Sequence, residues 1–197
     1  MGLALEIAGL ILFLGGHVFV SMRDRRAALI KAIGEWPYKG LFSVVSVVGI
    51  VLIGYGFARY REAGPIMLWD PPLWTRHIVV VLMWPVSILL AAAYIPGNIK
   101  RTVKHPMLLA VKLWALAHLC ANGDLGGIIL FAAVLLWAGY DRVTLKHRTD
   151  PGAPPIPIGG TKNDIIAIVV GTVIYLALGF VFHPIVIGVP AFGTPAH

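Results

Sequence analysis

Two histidines lie in stretches of sequence that otherwise resemble lipid-soluble helix. His17 stands in LFLGGHVFVSM and His118 in LWALAHLCANGD. An ionisable side chain inside a membrane helix is costly and marks a functional site by default. Two neutral imidazoles that face each other across an apolar bundle can hold a haem iron from both sides. Zinc would need a third or fourth protein ligand, and no segment supplies a tight cluster of His, Cys, Asp and Glu.

Further residues accompany His118 along the same stretch. Trp114 lies one helical turn before it and Asn122 one turn after it, and Asp124 completes an Asn-Gly-Asp turn. We expect Trp114 to lie beside the cofactor. Asn122 and Asp124 either line the site, where they satisfy buried amides or orient a histidine, or act as ordinary turn-forming residues.

Two other histidines precede prolines. His105 precedes Pro106, and this pair predicts the start of a helix. His183 precedes Pro184 in the last apolar segment, where it could ligate iron or stabilise a kink. At roughly 100° per residue, His105 and His118 are about 140° apart around one helix and cannot both be axial ligands of one iron. His183 and His105 are kept as alternative iron ligands to His17 and His118.

The sequence predicts that these histidines lie in membrane helices. The chain has 197 residues, of which 58% are hydrophobic and 13% charged, and its mean hydropathy is +0.85, as expected for an integral membrane protein. A spanning helix needs roughly 20 apolar residues, so the fourth and fifth apolar segments look short. We predict an all-α membrane bundle of about six helices, with a tight Asn-Gly-Asp turn between the short pair. The six segments are Leu3–Val20, Leu41–Ala58, His77–Ile95, Met107–Ala121, Leu125–Ala138 and Ile165–Val186.

Depth in the membrane bears on the pairing of His17 with His118. If the fourth helix enters lipid at His105, His118 lies about 20 Å deep, whereas His17 is only about 8 Å from the basic end of its helix. Lys112 offers a resolution, because a lysine in a membrane helix usually extends to the headgroups. Entry near Lys112 would place His118 about 9 Å deep, at the level of His17. Entry at His105 would instead favour pairing with His183.

The charge pattern predicts orientation and excludes one class of partner. Alternate loops carry twelve Lys and Arg residues on one side and three on the other, which places both termini outside the cytoplasm. The net charge of +7 comes from these loops, so we expect contacts with anionic lipid and no nucleic-acid binding. Cys120 is the single cysteine, which excludes an intrachain disulfide and the usual covalent c-type haem attachment.

The sequence shows no second domain. We interpret residues 1–197 as a single transmembrane domain. Residues 149–163 are rich in proline and glycine, which predicts an extended cytoplasmic linker before the last helix.

Two long stretches of the chain resemble a known family. LGGHVFVSMRDRRAALIKAIGEWPYKGLFSVVSVVGIVLIGYG and KHPMLLAVKLWALAHLCANGDLGGIILFAAVLLWAGYDRVTLKHR resemble the NnrU family of bacterial membrane proteins. The combination of Gly-His, SMR, HPM, LWALAHL and NGD carries the resemblance. It implies a multi-pass protein of the bacterial inner membrane, and the charge pattern described above would place both termini in the periplasm.

The same domain occurs in 15-cis-zeta-carotene isomerase, a haem b enzyme that acts on a lipid-soluble polyene. Its two iron-ligating histidines are similar in context to His17 and His118, so the resemblance implies haem b as cofactor and a haem-dependent cis-trans isomerase as one possible enzyme. The isomerase has a cysteine one turn before its second histidine, where this chain has Ala115, and Cys120 is on another helix face. A ligand exchange controlled by that cysteine is therefore not expected here.

Other functions stay open. NnrU proteins are associated with denitrification, so a non-catalytic haem protein that carries electrons or nitric oxide for a respiratory redox partner is the main alternative. A membrane methyltransferase is a second, because KHPMLLAVKLW resembles the His-Pro segment of such enzymes, although the acidic and aromatic segment that follows there is missing. An assembly factor whose histidines only pack is a third.

Overall fold

The computed structural model describes residues 1–148 and 156–192, and these are mostly helical. The first part of the predicted linker, residues 149–155, lies outside the described residues. Its last four residues are already helical, because the final helix begins at Gly160. The helices are α1 (Gly2–Ser21), α2 (Arg23–Ile33), α3 (Glu35–Glu62), α4 (Leu73–Tyr94), α5 (Asn98–Val103), α6 (Pro106–Ala121), α7 (Leu125–Lys146) and α8 (Gly160–Ala177).

All six predicted apolar segments lie in helices, which confirms the helical membrane bundle. Within the described residues, α1, α3, α4, α7 and α8 with its continuation are long and apolar enough to cross a membrane. The fourth predicted segment is short as expected, since α6 has 16 residues and begins at the predicted Pro106. The prediction of a short fifth helix is wrong, because α7 has 22 residues and continues through Tyr140 to Lys146. Polar residues are tolerated at such a helix end, where they reach the headgroups.

The helices group into two compact units. Unit 1 contains residues 1–70 and 122–148, and therefore α1, α2, α3 and α7. Unit 2 contains residues 71–121 and the described residues from 156 onwards, and therefore α4, α5, α6 and α8.

Glycines bring α1 and α3 of unit 1 close together. A Cβ added at Gly9 would lie 2.6 Å from Ile53 N, and one added at Gly49 would lie 2.9 Å from Phe13 Cβ. Small residues allow such close backbone approach, which drives helix association in membranes. Gly15 and Gly16 lie less closely against other residues: a Cβ at Gly15 would meet no described atom within 4 Å, and one at Gly16 would lie 3.8 Å from Phe42 and from Val45.

Unit 2 is held together around α4. Val86 and Leu89 of α4 pack with Ala110 of α6 in one apolar cluster. On another side of α4, a Cβ added at Gly171 of α8 would lie 2.5 Å from Ile88 Cα, so the two backbones nearly touch. This packing places α6 and α8 on the same helix.

The last helix changes geometry before it ends. After Ala177 the chain continues as a π-helix, Leu178–Ile187, which ends at Gly188 with a φ of 75°. Pro184 lies inside this segment and has no N–H to donate, so a regular α-helical pattern cannot continue through it. Wider π-type turns are rare and often occur at functional sites. This segment carries His183.

Candidate functional site

His17 has one ring nitrogen occupied by its own helix. Its Nδ1 lies 2.7 Å from the carbonyl oxygen of Phe13, one turn earlier. A carbonyl can only accept, so Nδ1 donates the hydrogen, and a neutral ring then keeps a lone pair on Nε2. This tautomer is the one in which Nε2 can bind a metal.

Aromatic rings surround His17 within unit 1. The ring centres of Phe13, Phe42 and Trp137 lie 4.3, 5.2 and 5.3 Å from that of His17. The buried Trp137 Nε1 has no hydrogen-bond partner among the described residues. Trp137 lies in the middle part of α7, which continues to Lys146. This aromatic pocket joins three helices and could not be identified from local spacing.

His118, in unit 2, makes the same kind of hydrogen bond as His17 makes in unit 1. Its Nδ1 donates to the carbonyl oxygen of Trp114 at 2.8 Å, so a neutral ring carries its lone pair on Nε2. The Trp114 ring lies beside it, at 5.2 Å between centres. Ala115, at the position of the isomerase cysteine, is fully buried, whereas Cys120 is exposed. Cys120 is therefore on a different face from Ala115, as predicted.

The structure places His183 next to His118. The two ring centres are 6.3 Å apart and the ring planes differ by 33°. An imidazole nitrogen binds a first-row metal at about 2 Å with its ring centre about 1 Å further away, so two rings on opposite sides of one iron have centres about 6 Å apart. Ordinary aromatic pairs also span this distance, at about 4.5–7 Å. The ring separation therefore agrees both with two ligands of one iron and with an ordinary aromatic contact.

His105 occupies the predicted helix start and is not brought into this pair. Its backbone N–H donates to Val103, and its carbonyl accepts from Leu109 N at 3.1 Å in the first turn of α6. These bonds agree with a role in starting the helix. They do not involve its imidazole.

The Asn-Gly-Asp turn is covered by protein in unit 1. Gly123 O accepts from Leu68 N at 2.8 Å, and Leu125 N donates to Ile66 O at 2.9 Å. Asp124 is 8% exposed, and its Oδ1 accepts from Gly127 N at 2.8 Å, so it caps α7. This bond gives Asp124 a capping role at the start of α7. Asn122 lies at the start of the same turn and is half-buried.

Glu6 is a buried polar residue that the sequence pattern did not single out. Its side chain in α1 is fully buried in unit 1. It is the single acidic residue of that helix, and an acidic residue in an apolar span would have been a sufficient signal.

No group of three or more His, Cys, Asp or Glu side chains able to hold a metal ion occurs among residues 1–148 and 156–192. A haem iron needs fewer, because the porphyrin supplies its equatorial ligands and the protein supplies only axial ones. The histidines described above are suited to that role.

Comparison with known proteins places the chain in a family. No curated protein sequence and no solved structure matches it significantly. The family model described as NnrU protein matches residues 5–191, which includes both units and all the histidines discussed above. The chain therefore belongs to the NnrU family.

Proposed function

We propose that this NnrU protein binds haem b in the membrane, with His118 as an axial ligand of the iron. The observation that carries the proposal is the bond from His118 Nδ1 to Trp114 O, because it fixes the tautomer whose lone pair is on Nε2, the nitrogen that would bind a metal. Metal-binding histidines usually donate their other N–H to a carbonyl or carboxylate in this way. The apolar surroundings of α6 suit a porphyrin.

Two histidines are candidates for the opposite axial position. His183 is supported by its ring, 6.3 Å from that of His118. His17 is supported by the resemblance to the isomerase and by its bond to Phe13 O, which prepares its Nε2 in the same way as that of His118. The second ligand is therefore the first question for experiment.

The residues around His118 have defined roles in this proposal. Trp114 O fixes the tautomer and the ring orientation, and the indole of Trp114 covers one side of the imidazole. Haem, when bound, supplies a redox-active iron whose axial position can be open or occupied.

We propose further that the chemistry is redox or isomerase chemistry on a lipid-soluble polyene, as in zeta-carotene isomerase. The support is the resemblance of the His17 and His118 segments to that enzyme. The alternative is a non-catalytic haem protein that transfers electrons or binds nitric oxide for a respiratory partner. Incubation of the reduced and oxidised protein with cis-zeta-carotene, followed by chromatography of the isomers, separates the two.

The visible spectrum of the detergent-purified protein tests haem binding. We expect a sharp reduced α-band for the wild type and for His77→Ala, an exposed histidine of α4 that serves as control. His118→Ala should lose this band, and added imidazole should restore it by occupying the vacated position. A protein that stays colourless after haem addition, or a His118→Ala variant with an unchanged spectrum, would refute the proposal. Adenosylmethionine binding would then be the next measurement.

A further inference from the structure

The carboxyl group of Glu6 is enclosed at one end of unit 1. Neither Oε1 nor Oε2 has a hydrogen-bond partner in the part of the chain that the structure describes, and the side chain is 0% exposed. A Cβ added at Gly126 would lie 3.0 Å from Glu6 Oε2 and 2.6 Å from Tyr60 Cε1. The carboxyl group therefore lies between α3 and the first turn of α7, and only a glycine at position 126 leaves space for it.

A second carboxyl group lies beside Glu6. A Cβ added at Gly126 would lie 3.0 Å from Glu6 Oε2, and one added at the next residue, Gly127, would lie 3.0 Å from Asp124 Oδ2, so both carboxyl groups lie against the first turn of α7. The position of the Asp124 carboxyl group is fixed, because Oδ1 accepts from Gly127 N and Oδ2 lies close to the same glycine. A negative charge is favourable there, since the free N–H groups of a helix N-terminus carry a partial positive charge.

The other polar groups of α3 near Glu6 already have partners. Tyr60 Oη accepts from Ile66 N at 2.8 Å. Arg59 pairs with the exposed Glu62 at 2.7 Å, and Arg61 lies over the ring of Phe57. Within the described residues, Tyr60 and Asp124 are the titratable groups in contact with the positions of Gly126 and Gly127, where the carboxyl group of Glu6 lies, and neither is a cation.

A buried carboxylate without a partner costs several kcal/mol, and two adjacent carboxylates cannot both ionise cheaply. Asp124 already accepts a capping bond from Gly127 N, whereas neither carboxyl oxygen of Glu6 has a partner within the described residues. We propose that Glu6 and Asp124 form a buried proton-binding site, in which Glu6 carries the proton.

A proton fits this site better than a metal cation does. Monovalent and divalent hard cations need several oxygen ligands. The nearby carbonyl of Gly123 already accepts from both Leu68 N and Trp69 N. That of Ile66 accepts from Leu125 N and from Tyr60 Oη. Oxygen ligands are therefore already occupied where a cation would need them.

Infrared spectroscopy of the full-length protein in lipid nanodiscs tests the proposal. At neutral pH we expect the C=O band of a protonated carboxylic acid, sensitive to exchange of water for heavy water. The band should be present in the wild type and in Glu62→Gln, an exposed control, and lost in Glu6→Gln. Its absence from the wild type, or its persistence in Glu6→Gln, would overturn the proposal.

A second variant keeps Glu6 in place. Asp124→Asn preserves an oxygen to cap α7 but removes the neighbouring charge, so Glu6 should release its proton more easily. As the pH is raised, we expect the band of this variant to disappear at a pH about one unit or more below the pH at which the wild-type band disappears. If the band of Asp124→Asn disappears at the same pH as that of the wild type, or at a higher pH, the assignment is overturned. Loss of the wild-type band when choline chloride is replaced by sodium chloride at fixed pH would also overturn it, because it would indicate a sodium site.

Discussion

His118 and His183 lie side by side, with ring centres 6.3 Å apart, although 65 residues separate them in the sequence. His118 is on α6, which packs on α4. His183 is on the π-helical continuation of α8. The α8 helix itself packs on α4 at Gly171. The two rings meet because α4 carries both helices. Both histidines therefore lie within the same compact unit.

The second axial ligand can be identified by single substitutions. We expect either His17→Ala or His183→Ala, and only one of them, to convert a six-coordinate low-spin iron to a five-coordinate high-spin one. The reason is that loss of one imidazole opens one axial position, which carbon monoxide can then occupy. Absorption and electron paramagnetic resonance spectra report the change. If neither variant converts, the iron has His118 as its single histidine ligand, and this prediction is wrong.

The exposed thiol of Cys120 should have no part in haem binding. It lies on a different face of α6 from the fully buried Ala115. We expect Cys120→Ala to leave the absorption spectrum and the reduction potential unchanged. Maleimide labelling of the wild type should be equally silent. A shifted α-band after either treatment would contradict this prediction.

Close packing of α1 on α3 predicts a difference between two glycines of the same helix. A Cβ at Gly49 would lie 2.9 Å from Phe13 Cβ and 3.0 Å from Phe13 N, whereas one at Gly54 would meet no described atom within 4 Å. Gly49→Ala should therefore destabilise the protein by about 1–3 kcal/mol. Gly54→Ala is the matched control and should be neutral or slightly stabilising, because alanine favours helix. Thermal unfolding in detergent compares them, and equal midpoints would count against the packing described for unit 1.

The cap of α7 can be separated from the charge of Asp124. Asp124→Asn and Asp124→Ala both remove the charge, but only asparagine can still accept from Gly127 N. We expect the alanine variant to be less stable than the asparagine variant by about 1 kcal/mol. The measurement is again the unfolding midpoint in detergent. Identical midpoints for the two variants would show that the bond contributes nothing measurable.

The hydrogen bond between α8 and α4 offers a further test in unit 2. Tyr175 Oη donates to Val80 O at 3.0 Å. Tyr175→Phe should cost about 0.6 kcal/mol, a typical value for interhelical bonds in membranes, and the exposed Tyr55→Phe is the matched control. The difference between the two unfolding midpoints measures the bond. A Tyr175→Phe variant as stable as the control would contradict the prediction.

An integral membrane protein, its apolar helices and the histidines to be tested could all be predicted from the amino-acid sequence alone. Apolar composition requires helices, because lipid offers no partner for an open backbone amide. The bonds from His17 to Phe13 and from His118 to Trp114 are also local, since each joins a residue to the turn before it. The length of α7 was not evident, because the polar residues after Ala138 resemble a loop as much as a helix end.

The contacts between residues that are far apart in the sequence became evident from the tertiary structure. The pairing of His118 with His183 depends on the packing of two helices on α4. The burial of Glu6 beside Asp124 depends on how closely α3 and α7 approach α1, with Gly126 leaving the space for the carboxyl group. Helical periodicity specifies which residues share a face of one helix. It carries no information about which face of another helix will be packed against it.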